Sequence, residues 1–198
     1  IDNIIDPSNL SWPRAVIINA NEIVISEKPE RLATISLGHD EILFGITDNT
    51  QIVATTSFAQ EEGSNIQSKS QGLPTISSDP ETIIAQDPDI IFADPYASAE
   101  LIDALEDFGI TVIQTQLNNS IEGRKNDVWL MSYITGNLEN AKSLVDKIDN
   151  NITSLNYLVN NQQDPKMKVI TLSWWDAYWT AGSGSTEDSI MQLAGAIN

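Results

Sequence analysis

The segment that most restricts the fold is residues 77–95, SSDPETIIAQDPDIIFADP. Ser78 or Asp79 can cap a helix whose first position is taken by Pro80. A second proline then separates this helix from the apolar run 90–93, which favours a strand. The segment therefore predicts a short helix followed directly by a strand, an order of elements typical of α/β folds.

Strand and helix patterns alternate through the first half of the chain. The runs 32–35 and 51–56 favour strands, and the apolar residues between them have helical spacing. The helical stretch SAELIDALEDF ends at Gly109, which can adopt a left-handed cap, and the strand-like run 110–115 follows. Because helices separate the strands, we expect right-handed βαβ crossovers and a mostly parallel sheet. Before them, the stretch 14–25, RAVIINANEIVI, predicts a hairpin.

The chain becomes helical from residue 120 for about forty residues. Apolar residues alternate in steps of three and four along one helix of about 25 residues, roughly 37 Å long. These positions are Leu138, Ala141, Val145, Ile148, Ile152, Leu155 and Val159. The seam favours a rigid strut that packs across two α/β segments; the alternative is a coiled-coil partner helix.

A new buried strand is predicted for residues 169–172, VITL, after the break at the Asp-Pro pair. The element pattern therefore predicts an α/β segment over 1–120, a helical segment over 121–163, and the beginning of a further α/β segment over 164–198. Since the sequence stops just after an apparent helix, we expect a C-terminal part to be missing.

Composition excludes several classes of function. The formal charge of −18 comes from 28 acidic and 10 basic residues spread along the chain, so a nucleic-acid partner is not expected. Cysteine is absent, which excludes disulfides, cysteine metal sites and thiol nucleophiles. With one histidine and neither a GxSxG nor an HExxH motif, no catalytic site is predicted. The start without Met suggests a mature or trimmed form.

Several sequence segments, taken in their order along the chain, resemble those of one protein family. The segments are EIVISEKPERLATISLGHDEILFGI, DPETIIAQDPDIIFAD, LIDALEDFGITVIQT, the long helix and WTAGSGSTEDSIMQLAGAIN. Together they are similar to the substrate-binding proteins of ABC importers for ferric siderophores, cobalamin and haem. The resemblance implies an N-terminal α/β lobe over 1–120 and an incomplete C-terminal α/β lobe over 164–198, joined by the helical segment 121–163, with the ligand between the lobes. It also implies a monomer without a cofactor that works with an ABC permease at the periplasmic or extracellular face of the membrane.

Glu81 has two interpretations. An acidic residue in the first helical turn after a proline is favoured by helix electrostatics alone, by about 0.3–1 kcal/mol. Glu81 also matches the acidic position at which proteins of the resembled family dock to their permease, so the resemblance implies a docking role.

Other candidates follow the predicted strands. His39, the one histidine, comes where the first strand gives way to its helix. Ligands of open α/β sheets bind at the carboxyl ends of strands, so we expect His39 at the rim of a cleft there. It is either a capping or packing residue, or a ligand contact, including an axial ligand for haem. By the same argument we expect ligand contacts at residues that follow the second and third strands: Ser57, Phe58, Asp94 and Tyr96.

Aromatic residues are concentrated in SWWDAYW, residues 173–179. Side chains alternate between faces of a strand, so Trp174, Trp175, Tyr178 and Trp179 cannot all enter one core. We therefore expect ligand contacts from Trp174, Trp175 and Tyr178. The following GSGST has no lysine and precedes two acidic residues, which excludes a phosphate loop and suggests a turn before a helix capped by Thr186.

The predicted ligand is a small-molecule metal chelate. The strand-end loops contain no Arg or Lys, which disfavours anionic tris-catecholates and favours a ferric hydroxamate or cobalamin. Haem remains an alternative through His39, Tyr96 or Tyr178. Two other classes stay open: an α/β enzyme that handles nucleotides or sugars, and a chelate-binding sensor not coupled to transport.

Overall fold

The structure is a computed structural model that describes residues 2–116, 120–162, 165–174 and 176–198. Its internal contacts divide the chain into two units. The first, called the sheet unit, comprises Ile1–Leu117 and Asp127–Lys142; the second, called the hairpin unit, comprises Asn118–Asn126 and Ser143–Asn198.

The sheet unit begins with the predicted hairpin. Strand β1, Arg14–Ile18, pairs antiparallel with β2, Asn21–Ile25. Asn19 and Ala20 form the turn with φ of 50° and 65°, the positive values that a type I′ turn requires at both central residues. Asn tolerates this conformation, but the Cβ of alanine makes it costly.

A five-stranded parallel sheet forms the centre of this unit, which confirms the predicted α/β class. Its strand order is β5-β4-β3-β6-β7. The strands are β3 (Leu32–Thr34), β4 (Ile52–Thr56), β5 (Thr75–Ile76), β6 (Ile90–Ala93) and β7 (Thr111–Gln114). The order places β4 and β5 on one side of β3, and β6 and β7 on the other.

Short helices connect these strands. They are α1 (Leu37–Ile46), α2 (Gln67–Ser70), α3 (Pro80–Ile84) and α4 (Ala99–Asp107), with 3-10 helices at Asn49–Gln51 and Ser57–Gln60. Of the two predicted caps, Asp79 is the one used: its carboxylate accepts the Glu81 N–H at 3.1 Å. Gly109, which follows the C-cap of α4, has a φ of 91° and so adopts the predicted left-handed conformation that ends this helix.

Helices cover both faces of the sheet. Helix α1 contacts β3 and β4, whereas α3 and α4 contact each other and α4 contacts β7. Ile91 and Ala93 belong to a buried cluster with Leu101 and Leu105 of α4. Since strand side chains alternate, Phe92 faces the other side, where its ring lies 6.4 Å from that of His39 in α1.

Arg14 anchors the N-terminal hairpin within the sheet unit. Its guanidinium is buried and donates to the carbonyls of Tyr133 and Leu10. It also stacks between aromatic rings, 4.4 Å from the Trp12 centroid and 4.9 Å from that of Tyr133. Because Tyr133 lies in the last turn of helix α5, Ile121–Thr135, the positive charge also meets the negative end of the helix dipole.

The predicted long helix is α6, Leu138–Asn160, with 23 residues. Ala141 and Val145, in the first half of its apolar seam, are buried, whereas Leu155 in the second half is exposed. In the described part of the chain, no helix is both long and apolar enough to cross a membrane.

The hairpin unit differs from its prediction at residues 169–172. Ile170 and Leu172 are 72% and 66% exposed, so the predicted buried strand is wrong. A parallel strand is buried only between neighbouring strands. Within the described residues of this unit, the one parallel partner nearby is a single bridge between Lys168 and Ile197.

The unit instead contains a short antiparallel hairpin and a final helix. Strand β8, Ser173–Trp174, pairs with β9, Tyr178–Trp179, and α7 spans Thr186–Leu193. The predicted cap at Thr186 is wrong by one residue, because the Ser185 hydroxyl accepts the Asp188 N–H at 3.1 Å.

Replacing Ala20 with glycine should stabilise the sheet unit by about 0.5–1 kcal/mol, because glycine removes the Cβ clash at positive φ. Urea unfolding followed by circular dichroism measures the change. The matched control is Ala15→Gly in β1 of the same hairpin, where glycine should destabilise by a similar amount. Equal effects of the two substitutions would contradict the turn assignment.

Candidate functional site

The carboxyl ends of the parallel strands form one edge of the sheet, here called the carboxyl edge. At this edge the strand order reverses between β3 and β6. The connection after β3 leads to α1 on one face, and the connection after β6 leads to α4 on the other. Such a reversal opens a crevice where ligands of open α/β sheets bind.

The predicted contacts after β4 and β6 lie at this edge. Ser57 and Phe58 begin the 3-10 helix that follows β4, and the Phe58 side chain is 55% exposed. Asp94 follows β6 directly, and its carboxylate accepts the Tyr96 N–H at 2.9 Å. Tyr96 is 85% exposed. The edge therefore presents two aromatic side chains from loops on either side of β3.

Gln114, at the end of β7, fixes the loop after β6. Its side-chain amide donates to the carbonyl oxygens of Asp94 at 3.1 Å and Ala97 at 3.4 Å. Its side-chain oxygen accepts from Asn19 of the hairpin turn at 3.2 Å. The N-terminal hairpin thus supports the segment that carries Tyr96.

His39 lies among the segments that leave the carboxyl edge, but its ring is buried, so it has the packing role of the two roles that the sequence left open. Its side chain has no exposed surface. Hydrogen bonds join Nδ1 to the Ser36 hydroxyl at 2.7 Å and Nε2 to the Thr115 hydroxyl at 2.8 Å. The first turn of α1 directs the ring into the sheet unit, where it links the segments after β3 and β7.

Asp40 is a residue of this edge that the sequence analysis missed. It is fully buried and accepts three hydrogen bonds: from the Thr34 hydroxyl at 2.6 Å, and from the Thr56 hydroxyl and N–H at 2.7 and 3.1 Å. Burial raises the pKa of Asp40 from its usual 3.8 to about 6, despite these hydrogen bonds. In the sequence, Asp40 is indistinguishable from an ordinary acidic residue in a first helical turn.

The described aromatics of the hairpin unit are all exposed. Trp174 and Tyr178 lie opposite each other in the β8–β9 register, with ring centroids 4.8 Å apart in an edge-to-face arrangement. They are 65% and 72% exposed. Trp179 is exposed as well, and its indole N–H donates to Asp176 at 3.1 Å. Trp175 lies outside the described residues.

The turn before α7 is closed by an acidic side chain. Asp188 is buried, and its carboxylate accepts from the Gly184 N–H and from the side-chain amides of Gln192 and Asn198. The Gly184 hydrogen bond in particular lowers the pKa of Asp188. A negative charge already occupies the backbone donor that a phosphate would need, in agreement with the sequence argument.

A family comparison extends these observations across most of the chain. Residues 32–198 match the model of the family described as "Periplasmic binding protein". The chain belongs to this family. A comparison with curated individual proteins gave no match.

Solved periplasmic binding proteins share the fold. A possible iron-binding (periplasmic solute-binding) protein from Staphylococcus epidermidis aligns with TM-score 0.71 and 20% identity, covering 87% of this chain and 67% of its own. A haem-binding protein from Pseudomonas aeruginosa gives 0.74 and 16%, covering 86% and 62%. One from Vibrio cholerae gives 0.72 and 20%, covering 85% and 65%. This chain thus spans about two thirds of their length.

In the described part of this periplasmic binding protein, residues that bind metal ions directly are not clustered. Among the described residues, no group of three or more His, Asp or Glu side chains is placed to hold a metal ion. The loops that form the carboxyl edge offer hydroxyl, amide and aromatic groups instead. Such groups suit a ligand with its own organic framework.

The pH dependence of the free energy of unfolding should reveal the raised pKa of Asp40. Its pKa is higher in the folded state, so the folded protein holds the proton more tightly, and stability falls as the pH rises from about 4 to 6. Relative to Asp40→Asn, wild type should lose about 2–3 kcal/mol across this range, as measured by urea unfolding.

The control for this measurement is Asp48→Asn. Asp48 is exposed, and hydrogen bonds from Thr50 lower its pKa. Wild type should therefore gain stability relative to Asp48→Asn as the pH rises, the opposite sign. A difference between wild type and Asp40→Asn that stays constant with pH would contradict the raised pKa.

Proposed function

We propose that this chain captures an iron chelate for an ABC importer. The observation that carries the proposal is the exposure of Phe58 and Tyr96 at the carboxyl edge, where α/β folds bind ligands. Large aromatic side chains supply most of the contact area for flat or macrocyclic ligands. In the hairpin unit, Trp174 and Tyr178 offer a second aromatic surface, and Ser57 and Asp94 add polar contacts at the edge, all as proposed ligand contacts.

The charge of the edge favours a neutral or cationic chelate. The segments that connect β3 to α1, β4 to α2 and β6 to α4 carry no Lys or Arg in their sequences, while the whole chain has a formal charge of −18. A strongly anionic tris-catecholate would need basic partners to offset its charge. A ferric trihydroxamate is therefore the first candidate.

Haem is the second candidate. Tyr96 places a phenol group in solvent at the carboxyl edge, and a tyrosine oxygen is one of the axial ligands that proteins supply to haem iron. His39 is buried and hydrogen-bonded at both ring nitrogens, so the proposal gives it no axial role. Two of the similar solved proteins described above are haem-binding proteins.

Glu81 is proposed as a contact for the membrane permease. It lies exposed in the first turn of α3, while Asp79 performs the capping of that helix. The cap therefore does not require the Glu81 carboxylate, which is available for an arginine of a partner. With this contact, the proposed working place of the protein is the periplasmic or extracellular face of the membrane.

Titration separates the candidate ligands. Hemin, a ferric trihydroxamate and cobalamin are added to the protein, and tryptophan fluorescence and the hemin absorption band are followed. We expect one iron chelate to bind with Kd below about 10 μM, or about −7 kcal/mol. If none of the three binds that tightly, the proposed function is wrong.

Phe58→Ala should raise the Kd of the chelate that binds about tenfold, or about 1.4 kcal/mol, through loss of aromatic contact area. The matched control is Phe108→Ala. Phe108 is also exposed but follows α4 at the start of the turn into β7, at the opposite edge of the sheet. Equal losses for both variants would remove the carboxyl edge from the site. If hemin binds, Tyr96→Phe should also shift its absorption band.

Glu81→Lys should reduce chelate uptake about tenfold in cells that carry the full importer, while the Kd for the chelate is unchanged, because the substitution places like charges at the docking contact. Glu106→Lys, an exposed charge reversal in α4, is the control. Normal uptake by a folded Glu81→Lys variant would refute the docking role.

A further inference from the structure

A buried carboxylate joins the element that carries Phe58 to the rest of the carboxyl edge. Asp40 belongs to the first turn of α1, and its Oδ1 accepts from Thr34 at the end of β3. Its Oδ2 accepts both the hydroxyl and the N–H of Thr56, the last residue of β4. One side chain thus links three elements at the point where the candidate site begins.

Thr56 directly precedes the two predicted contacts Ser57 and Phe58. It occupies the N-cap position of the 3-10 helix Ser57–Gln60, yet its side chain does not cap that helix. The hydroxyl is directed to Asp40 instead. The orientation from which the Phe58 segment starts is therefore set by Asp40 and not by the local cap.

Stability alone does not account for a carboxylate at this position. Asp40 has no exposed surface, and the charge of Glu41 in the same helix repels its carboxylate. The other groups that face it are the threonines of β3 and β4, and the neighbouring titratable residue His39 is bonded to Ser36 and Thr115. Burying a charge without a cation costs free energy, and apolar residues in such places are often as stable or more so.

We propose that Asp40 is a positioning residue whose carboxylate, through Thr56, holds Ser57 and Phe58 in the orientation that binds the chelate. This inference rests on the proposed function, because it takes Phe58 as a ligand contact. A charged acceptor forms stronger hydrogen bonds than a neutral one. Protonation of Asp40 loosens the hold on Thr56, so ligand affinity falls as the pH drops below about 6.

The test compares two threonines that bond to the same carboxylate. Thr56→Val removes a hydroxyl from the link to the Phe58 segment, and Asp40→Asn removes the charge. Thr34→Val, the matched control, removes an equivalent hydroxyl from the other carboxylate oxygen. The conservative variant Thr56→Ser keeps the hydroxyl. Unfolding curves identify the pH range in which each variant is folded.

With hemin or the ferric trihydroxamate as the probe, Thr56→Val and Asp40→Asn should each raise Kd about fivefold at pH 7.5. Thr34→Val and Thr56→Ser should stay within twofold of wild type. Between pH 7.5 and 5, the Kd of wild type should rise several-fold, while that of Asp40→Asn stays flat. Parallel pH profiles, or equal effects of Thr34→Val and Thr56→Val, would overturn the proposal.

Hydrogen exchange provides a readout that needs no ligand. The Glu61 N–H donates to the Phe58 carbonyl at 3.2 Å and closes the 3-10 helix. Its exchange should be several-fold faster in Thr56→Val and Asp40→Asn, and unchanged in Thr34→Val. If exchange responds in this way but no probe binds wild type, the proposed function fails and the positioning of the segment stands. Unchanged exchange in all variants overturns the positioning itself.

Discussion

The carboxyl edge of the sheet depends on the hydrogen bonds in which two consecutive buried residues of the first turn of α1 take part. His39 connects the segment after β3 with the segment after β7, and Asp40 connects the ends of β3 and β4. Parallel strands bring their carboxyl ends to one edge but do not fix the connections that leave them. The side-chain hydrogen bonds of His39 and Asp40 fix these connections. The placement of the loops on both sides of β3 therefore follows from one helical turn.

Local signals predicted much of the sheet unit. The Asp79-Pro80 cap, the Gly109 stop and the apolar runs give the order of strands and helices, and this order implies a parallel sheet. The strand-end rule also predicted that Ser57, Phe58 and Asp94 follow the ends of parallel strands, because it depends only on topology. It does not determine side-chain direction, so it could not decide between the two roles of His39, whose ring turns inward. Nor does it distinguish the buried Asp40 from an exposed acidic residue, because burial arises from packing between distant segments.

The hairpin unit shows what an apolar run does not determine. The run VITL has the composition of a buried strand, but burial requires partner strands on either side, and these are supplied by other parts of a chain. For the neighbouring segment SWWDAYW the prediction was better, because the alternation of strand side chains between two faces alone excludes the burial of every aromatic residue. In the structure Trp174 and Tyr178 pair with each other across a two-stranded ladder. Contacts within a few residues were therefore predictable, whereas contacts with distant segments were not.

The bond between His39 and Thr115 joins residues 76 positions apart in the chain. A contact of this separation closes a long loop, and its entropic cost is met only after the intervening strands have formed. A nascent chain that has not yet added β7 and Thr115 lacks the hydroxyl that bonds to the His39 ring. The hydrogen bonds of the carboxyl edge are therefore complete only with the last strand of the sheet and not with the first.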